Sequence, residues 1–204
     1  PPMYPIIRVL KEVLRAKRMP PLEALGAHVS YHRCWPHDLD VYLEMNNGRI
    51  LSILDIGRTG LAQRVGLIGA LKDNKWGMTM AGNSVRYRKR IRPFAKFRTV
   101  SRAVGWDEKF FYLEHSIWIG KDCAVQALFR AAVTDENGIV SPAAVFAHVG
   151  HDGKSPAKPA WVQAWIDADN TRPWPPEFGG THEDPVDAGA IARPITSTAP
   201  SASL

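Results

Sequence analysis

One segment constrains the fold more than any other. Residues 47–67 read NGRILSILDIGRTGLAQRVGL. Ile50, Leu51, Ile53, Leu54, Ile56, Leu61, Ala62 and Val65 recur at helical spacing and spread around much of a helical circumference. Asn47 reads as an N-cap, and Gly48 and Arg49 open the first turn. At ~1.5 Å per residue the helix is roughly 30 Å long. A helix this apolar has to be wrapped by other elements rather than laid on a surface. Gly57 and Gly60 mark places where a neighbour approaches its axis closely.

The flanking sequence supplies the wrapping. Residues 28–35, with Val29 and Tyr31, suit a short strand. After the helix come β-like runs over 76–92, 95–106, 109–120 and 122–134. Pro93 separates the first two, and GWDEK and IGKD read as turns between the later ones. KFFYLEHSIWIG and AVQALFRAAV show the alternation of strands. Consecutive strands with short links form an antiparallel sheet. The pattern is α+β with one dominant helix. Residues 141–150 suit a short capped helix, and 160–169 a small helix packing Trp161 and Trp165.

The chain starts with a helix over 4–17, stopped by Pro20 and Pro21. Its apolar side carries Ile6, Ile7, Leu10, Val13 and Leu14, and Arg8, Lys11 and Arg15 take the other. The apolar side is expected to pack on its own domain. Weak contact with a membrane surface is the alternative. Arg8, Lys11 and Glu12 interrupt the apolar residues, so the segment does not read as a signal peptide. The organisation expected is an N-terminal helix over 1–22, one domain over 23–150, and a linker, short helix and disordered tail over 151–204, the tail from about Thr181.

Two cysteines, Cys34 and Cys123, are too few for a disulfide scaffold and point to a cytoplasmic protein with small buried thiols. The seven histidines give no metal-ligand pattern: His28 and His32 lie in strand-like sequence, and His148 and His151 make only a pair. No metal and no cofactor is expected. The net charge of +6 is concentrated over 84–102, where Arg86, Arg88, Lys89, Arg90, Arg92, Lys96, Arg98 and Arg102 occur without an acid. Such a stripe favours an anionic partner. Arg86, Arg88, Arg90 and Arg92 share one face of a regular strand. The plainer reading is a solvated edge strand guarded against aggregation.

Directly before the long helix stands DLDVYLEMNNGRIL, residues 38–51. It resembles the segment D-x-D-x-x-x-H-x-N-N-x-x-Y of the hotdog-fold thioesterases, including the 4-hydroxybenzoyl-CoA thioesterase-like family and the plant acyl-carrier-protein thioesterases. Asp38 and Asp40 match the two acids, and Asn46 and Asn47 the paired amides. SVRYRKRIRPF and GWDEKFFYLEHSIWIG also look like a thioesterase-like branch of these proteins. The resemblance covers residues 4–150. It implies a hotdog fold, an antiparallel sheet around one central helix, in a homodimer or tetramer. The chain departs from the pattern at Tyr42 and Glu44, where the plant enzymes carry Asn and His, and at Ile50, where Tyr is usual.

The resemblance implies acyl-CoA hydrolysis, and the residues supply its requirements. A helix N-terminus stabilises negative charge developing on the carbonyl oxygen, with the amides near Asn47 and Gly48 as donors. Asp40 serves as base or nucleophile. Asp40 is otherwise a loop acid complementing the helix dipole, Asp38 a turn or capping acid, and Asn46 and Asn47 plain caps. Asp55, inside the apolar helix, is either a second working carboxylate or one half of an ion pair with Arg58. Glu44 is a third acid near the pocket. Arg86, Arg88 and Arg90 suit the phosphates of CoA. A catalytically weak acyl-CoA or lipid binder on the same fold is the competing reading. No nucleic-acid motif accompanies the basic stripe.

Overall fold

The apolar run of residues 47–67 forms most of one helix and the start of another. In the computed structural model, α2 spans Asn47–Arg64 and α3 spans Leu67–Asp73. Gly66 separates them at φ 82°, a left-handed conformation that ends a helix and that glycine adopts without a Cβ clash. The structure describes residues 5–176, so Tyr4 and the tail from Thr181 lie outside the described residues. By contact density the chain divides into two units, 1–162 and 163–204. The last described helix, α5 (Ala160–Asn170), starts at the end of the first unit.

The first unit also contains α1 (Ile6–Lys17), β1 (His28–Arg33), a 3-10 turn (Pro36–Asp38), β2 (Gly77–Tyr87), β3 (Lys96–Trp106), β4 (Phe111–Ile119), β5 (Asp122–Asp135), β6 (Gly138–Val140) and α4 (Pro142–His148). Ser141 caps α4 by accepting from Ala144 N–H. Every strand pairing is antiparallel, in the order β1-β3-β4-β5-β2 with β6 on β5. Neighbours in sequence pair from β3 to β5. β2 does not pair with β3: the chain crosses from the β2 edge of the sheet through the Pro93 loop to β3, which lies between β1 and β4. Register shifts at Met80/Gly82, Ala103/Gly105 and Ile117/Trp118 bend the strands. The sheet curls around α2, which buries Ile50, Ile53, Leu54, Ile56, Leu61 and Ala62. This is the hotdog fold.

Two glycines let helix and sheet meet. A Cβ on Gly57 would lie 2.7 Å from Ser101 Oγ, and one on Gly60 2.4 Å from His28 Nε2. Opposite them the sheet carries polar side chains that bond one another: Ser30 with Thr99 at 3.1 Å, and His115 Nδ1 with Ser101 at 2.8 Å. Burial, helped by the nearby Arg58 cation, pushes His115 down to about 3.

α1 docks in a way its periodicity did not predict. Val9 packs against the core, Glu12 and Ala16 are buried, and Ile6, Ile7, Leu10 and Leu14 are 62%, 84%, 57% and 47% exposed. The reason is a polar anchor. His28 Nε2 donates to Glu12 Oε1 at 2.8 Å, and His28 Nδ1 accepts from Arg64 at 3.3 Å. Burial alone would raise Glu12, but the His28 bond and Arg15 outweigh it and hold the carboxyl below its usual range.

Candidate active site

The stretch from Asp38 to Gly48 folds back on itself ahead of α2. Leu39 and Met45 form an isolated antiparallel bridge, and Asn46 N–H donates to Asp38 O at 2.8 Å. Asp40 makes the turn between them. Its Oδ1 accepts from Tyr42 N–H at 2.8 Å and Glu44 N–H at 3.4 Å. Its own N–H donates to Glu44 O at 2.9 Å. A short carboxylate bonding the backbone two residues on is what an Asx turn requires. Val41, Tyr42 and Leu43 form the exposed tip, with Leu43 at φ 56°. Asp40 itself is half-buried.

Asp38 anchors the base of this loop. Its side chain is fully buried and accepts from Trp35 N–H at 2.8 Å and Arg8 at 2.7 Å, with Arg49 at 3.2 Å. The turn-capping role read from the sequence is therefore one part of a larger cluster. Nothing in local spacing indicates that Arg8, from the N-terminal helix, and Arg49, from the first turn of α2, converge on one acid.

Asn46, not Asn47, is the N-cap of α2. Its Oδ1 accepts from Gly48 N–H at 2.9 Å and Arg49 N–H at 3.3 Å, and Ile50 N–H donates to Asn46 O at 2.9 Å. Asn47 is the first helical residue. The difference matters chemically, because the Gly48 amide is already taken by the cap. Asn47 N–H is the first-turn amide left without a partner among the described residues.

Glu44 and Arg90 pair with each other at 3.0 Å. Arg90, one of the cations assigned to phosphate, thus neutralises the acid assigned to the pocket. The single-faced arginine stripe is not formed as expected. β2 ends at Tyr87, and beyond it Arg88 and Lys89 N–H both turn in to Ala124 O. Alternation stops there, so Arg86 lies on the strand and Arg88 and Arg90 on the loop. Lys89 pairs with Asp122 at 2.6 Å.

Asp55 stands apart from this group. It lies ~12 Å along α2 from Asn47, its side chain is 33% exposed, and it is ion-paired with Arg58. The Arg58 guanidinium also lies 5.2 Å from the centre of the Phe129 ring. The fold therefore brings Asp38, Asp40, Glu44, Asn46, Asn47, Gly48 and Arg90 to one end of α2 and leaves Asp55 elsewhere. No hydrogen bond or ion pair among the described residues joins the Arg86 or Arg88 side chain to that group. Nor do any three His, Cys, Asp or Glu residues among those described cluster so as to hold a metal ion.

A central helix wrapped by an antiparallel sheet is a fold that known proteins share with this one. Residues 34–166 match the thioesterase-like superfamily. The chain belongs to that superfamily. It is similar to the protein THEM6 of Xenopus laevis, 37% identical over 126 residues, which make up 61% of each chain. It is also similar to THEM6 of Drosophila melanogaster, 30% identical over 139 residues, 68% of this chain and 71% of that one. It thus spans 61% of the frog relative's length.

Among solved structures, the probable thioesterase YbaW of Escherichia coli superposes with a TM-score of 0.56 at 15% identity, over 60% of this chain and 98% of that one. The DHNA-CoA thioesterase of Staphylococcus aureus superposes with a TM-score of 0.54 at 11% identity, over 71% and 91%. At such identities the likeness is one of fold.

Proposed function

We propose that the protein hydrolyses an acyl-CoA thioester to a free carboxylic acid and CoA, and that it does so in the cytoplasm. The observation that carries this reading is the join between Asp40 and α2. A half-buried carboxylate is fixed by its own turn ahead of a helix whose first amide, Asn47 N–H, is open. In this reading the thioester oxygen accepts from Asn47 N–H at the positive end of the helix dipole. Asp40 removes a proton from water as that water attacks the carbonyl carbon, or attacks it directly and forms an anhydride that water cleaves. The C–S bond breaks, its electron pair leaves on sulfur, and the thiolate takes up a proton.

The remaining residues support that step. Gly48 keeps the approach open, since a Cβ there would meet only Asn46 Oδ1, at 3.1 Å. Asn46 holds the helix end rigid. Glu44, held by Arg90, borders the substrate, and Arg86, Arg88 and Arg90 face the CoA phosphates. Asp55 is the second candidate carboxylate. A second copy pairs along β2, whose outer edge bonds no strand among the described residues, giving a homodimer or tetramer.

Release of free thiol from a panel of short, medium, long and aromatic acyl-CoAs tests the reading. Asp40→Asn lowers turnover at least about a hundredfold. A folded, fully active Asp40→Asn would remove Asp40 from the mechanism. A second reading, an acyl-CoA binder without turnover, is favoured by the cap's hold on the Gly48 and Arg49 amides. Binding without thiol release across the panel selects it.

A further inference from the structure

The outward face of α1 is apolar and its inward face carries a buried acid, the reverse of a helix that serves only to cover a core. Ile6, Ile7, Leu10 and Leu14 form a stripe facing solvent. Beside it runs a cleft of about 680 Å³ between α1 and the β1–β3 edge of the sheet. Lys11 and Arg15 border both, so stripe and cleft form one continuous surface.

The cleft is built of cations: Arg8, Lys11, Arg15, Arg33, Lys96 and Arg98. Among the described residues its only acid is Glu12, which His28 already holds. Arg33 stands directly opposite Lys96 in the β1–β3 ladder, a like-charge pairing that costs stability. Among the described residues no carboxylate pairs with Lys11, Arg33, Lys96 or Arg98. Aromatic rings lie under three of the guanidinium groups: Tyr31 under Arg15 at 5.4 Å, Trp35 under Arg33 at 5.5 Å and Trp118 under Arg98 at 5.4 Å. Tyr31 and Trp35 are themselves 67% and 42% exposed.

We propose that α1 and this cleft dock the protein on a membrane surface containing anionic phospholipids. The apolar stripe enters the boundary between headgroups and acyl chains, the cations face the headgroup phosphates, and Tyr31 and Trp35 sit at the interface. Both signals are needed, because neither a 12-residue helix nor a basic patch holds strongly alone. A polyanion in solution would account for the cations and leave the four aliphatic side chains in water. An acyl-chain-buried stripe and a phosphate-facing cleft account for both. No helix among the described residues is long and apolar enough to cross a membrane.

Vesicle flotation with the full chain tests the surface. The protein floats with vesicles of phosphatidylcholine and phosphatidylglycerol, stays behind with phosphatidylcholine alone, and is released by salt. Ile7→Asp weakens partitioning at least about tenfold by removing a buried aliphatic group. Lys96→Gln weakens it about fivefold by removing one cation. Both side chains point to solvent and lie outside the loop of Asp38–Gly48, so thiol release in vesicle-free buffer stays at the unmodified level. Absence of flotation overturns the proposal, as does equal flotation on neutral vesicles. Binding that Lys96→Gln weakens and Ile7→Asp does not would instead mark a site for a soluble polyanion, with short single-stranded RNA as the probe. Conversion of an oligomer to monomer by Ile7→Asp, with flotation unchanged, would show that a second copy covers the stripe.

Discussion

Asp38 and Asp40 lie two residues apart in one motif, and the structure separates their effects. Asp38→Asn takes the charge from a fully buried carboxylate shared by Arg8 and Arg49, whose side chains keep only 18% and 10% exposure. Breaking a buried ion pair from one side costs about 3–5 kcal/mol. The Asn oxygen still accepts from Trp35 N–H, and the two arginines retain some water, so the lower end, about 3 kcal/mol, applies. With a urea slope of about 2 kcal/mol/M the midpoint falls by about 1.5 M. Asp40→Asn keeps the turn, since an Asn oxygen accepts the same backbone bonds, and costs under about 0.5 kcal/mol. The assay is tryptophan fluorescence against urea, with thiol release per folded molecule measured in parallel. Asp38→Asn unfolds early and retains turnover where folded. Asp40→Asn unfolds near the unmodified midpoint and loses turnover. An Asp38→Asn midpoint within about 0.3 M of the unmodified one, far less than the slope predicts, would refute the buried-cluster account, and equal loss of turnover in both variants would refute the division of roles.

Gly60→Ala drives a methyl group to 2.4 Å from His28 Nε2 and disturbs its bond to Glu12, so it destabilises by about 1–3 kcal/mol in the same urea titration. An unchanged midpoint would mean that α2 and β1 part freely. Acid weakens the fold through two histidines. Burial pushes His32 down to about 4 against the pull of Glu12, and pushes His115 to about 3. Both protonate near 6.5 when unfolded, so below that pH the unfolded chain binds more protons and stability falls steadily from about pH 6.5 towards 4. His32→Gln flattens this slope, and urea midpoints at about pH 7 and pH 5 that differ as much as in the unmodified protein would contradict it. Asp55→Asn changes stability by less than about 1 kcal/mol, because the Asp55–Arg58 pair is partly exposed and one turn apart on a single helix. A larger loss of stability would show a tertiary role for the pair.

The legible part of the site was the part written in short-range spacing. An acid that bonds the backbone two residues on and an amide that caps a helix both act within a few residues; the sequence placed such a turn at Asp38, and Asp40 makes it, while Asn46 caps the helix. The cap was displaced by one residue because Asn46 and Asn47 are chemically identical candidates. The backbone entry angle, set by the Leu39–Met45 bridge and the Met45–Ile91 hydrogen bond, chose between them. The Glu44–Arg90 pair was out of reach for the same reason that Arg8–Asp38 was. Each joins residues far apart in the chain, and only a closed fold brings them within 3.0 Å and 2.7 Å.

By itself the sequence determined the central helix, the antiparallel strands and the polar loop that introduces the helix, since hydrophobic period, turn residues and capping residues act locally. Tertiary structure decided the rest. It sent β2 to the far edge of the sheet, because the crossover through Pro93 had to close the curl around α2. It also turned α1 so that Glu12 meets His28 and Ile7 meets solvent. Periodicity reports which side of a helix is apolar. Which side faces the protein depends on what the protein presents to it, and here that was a buried histidine in need of an acceptor.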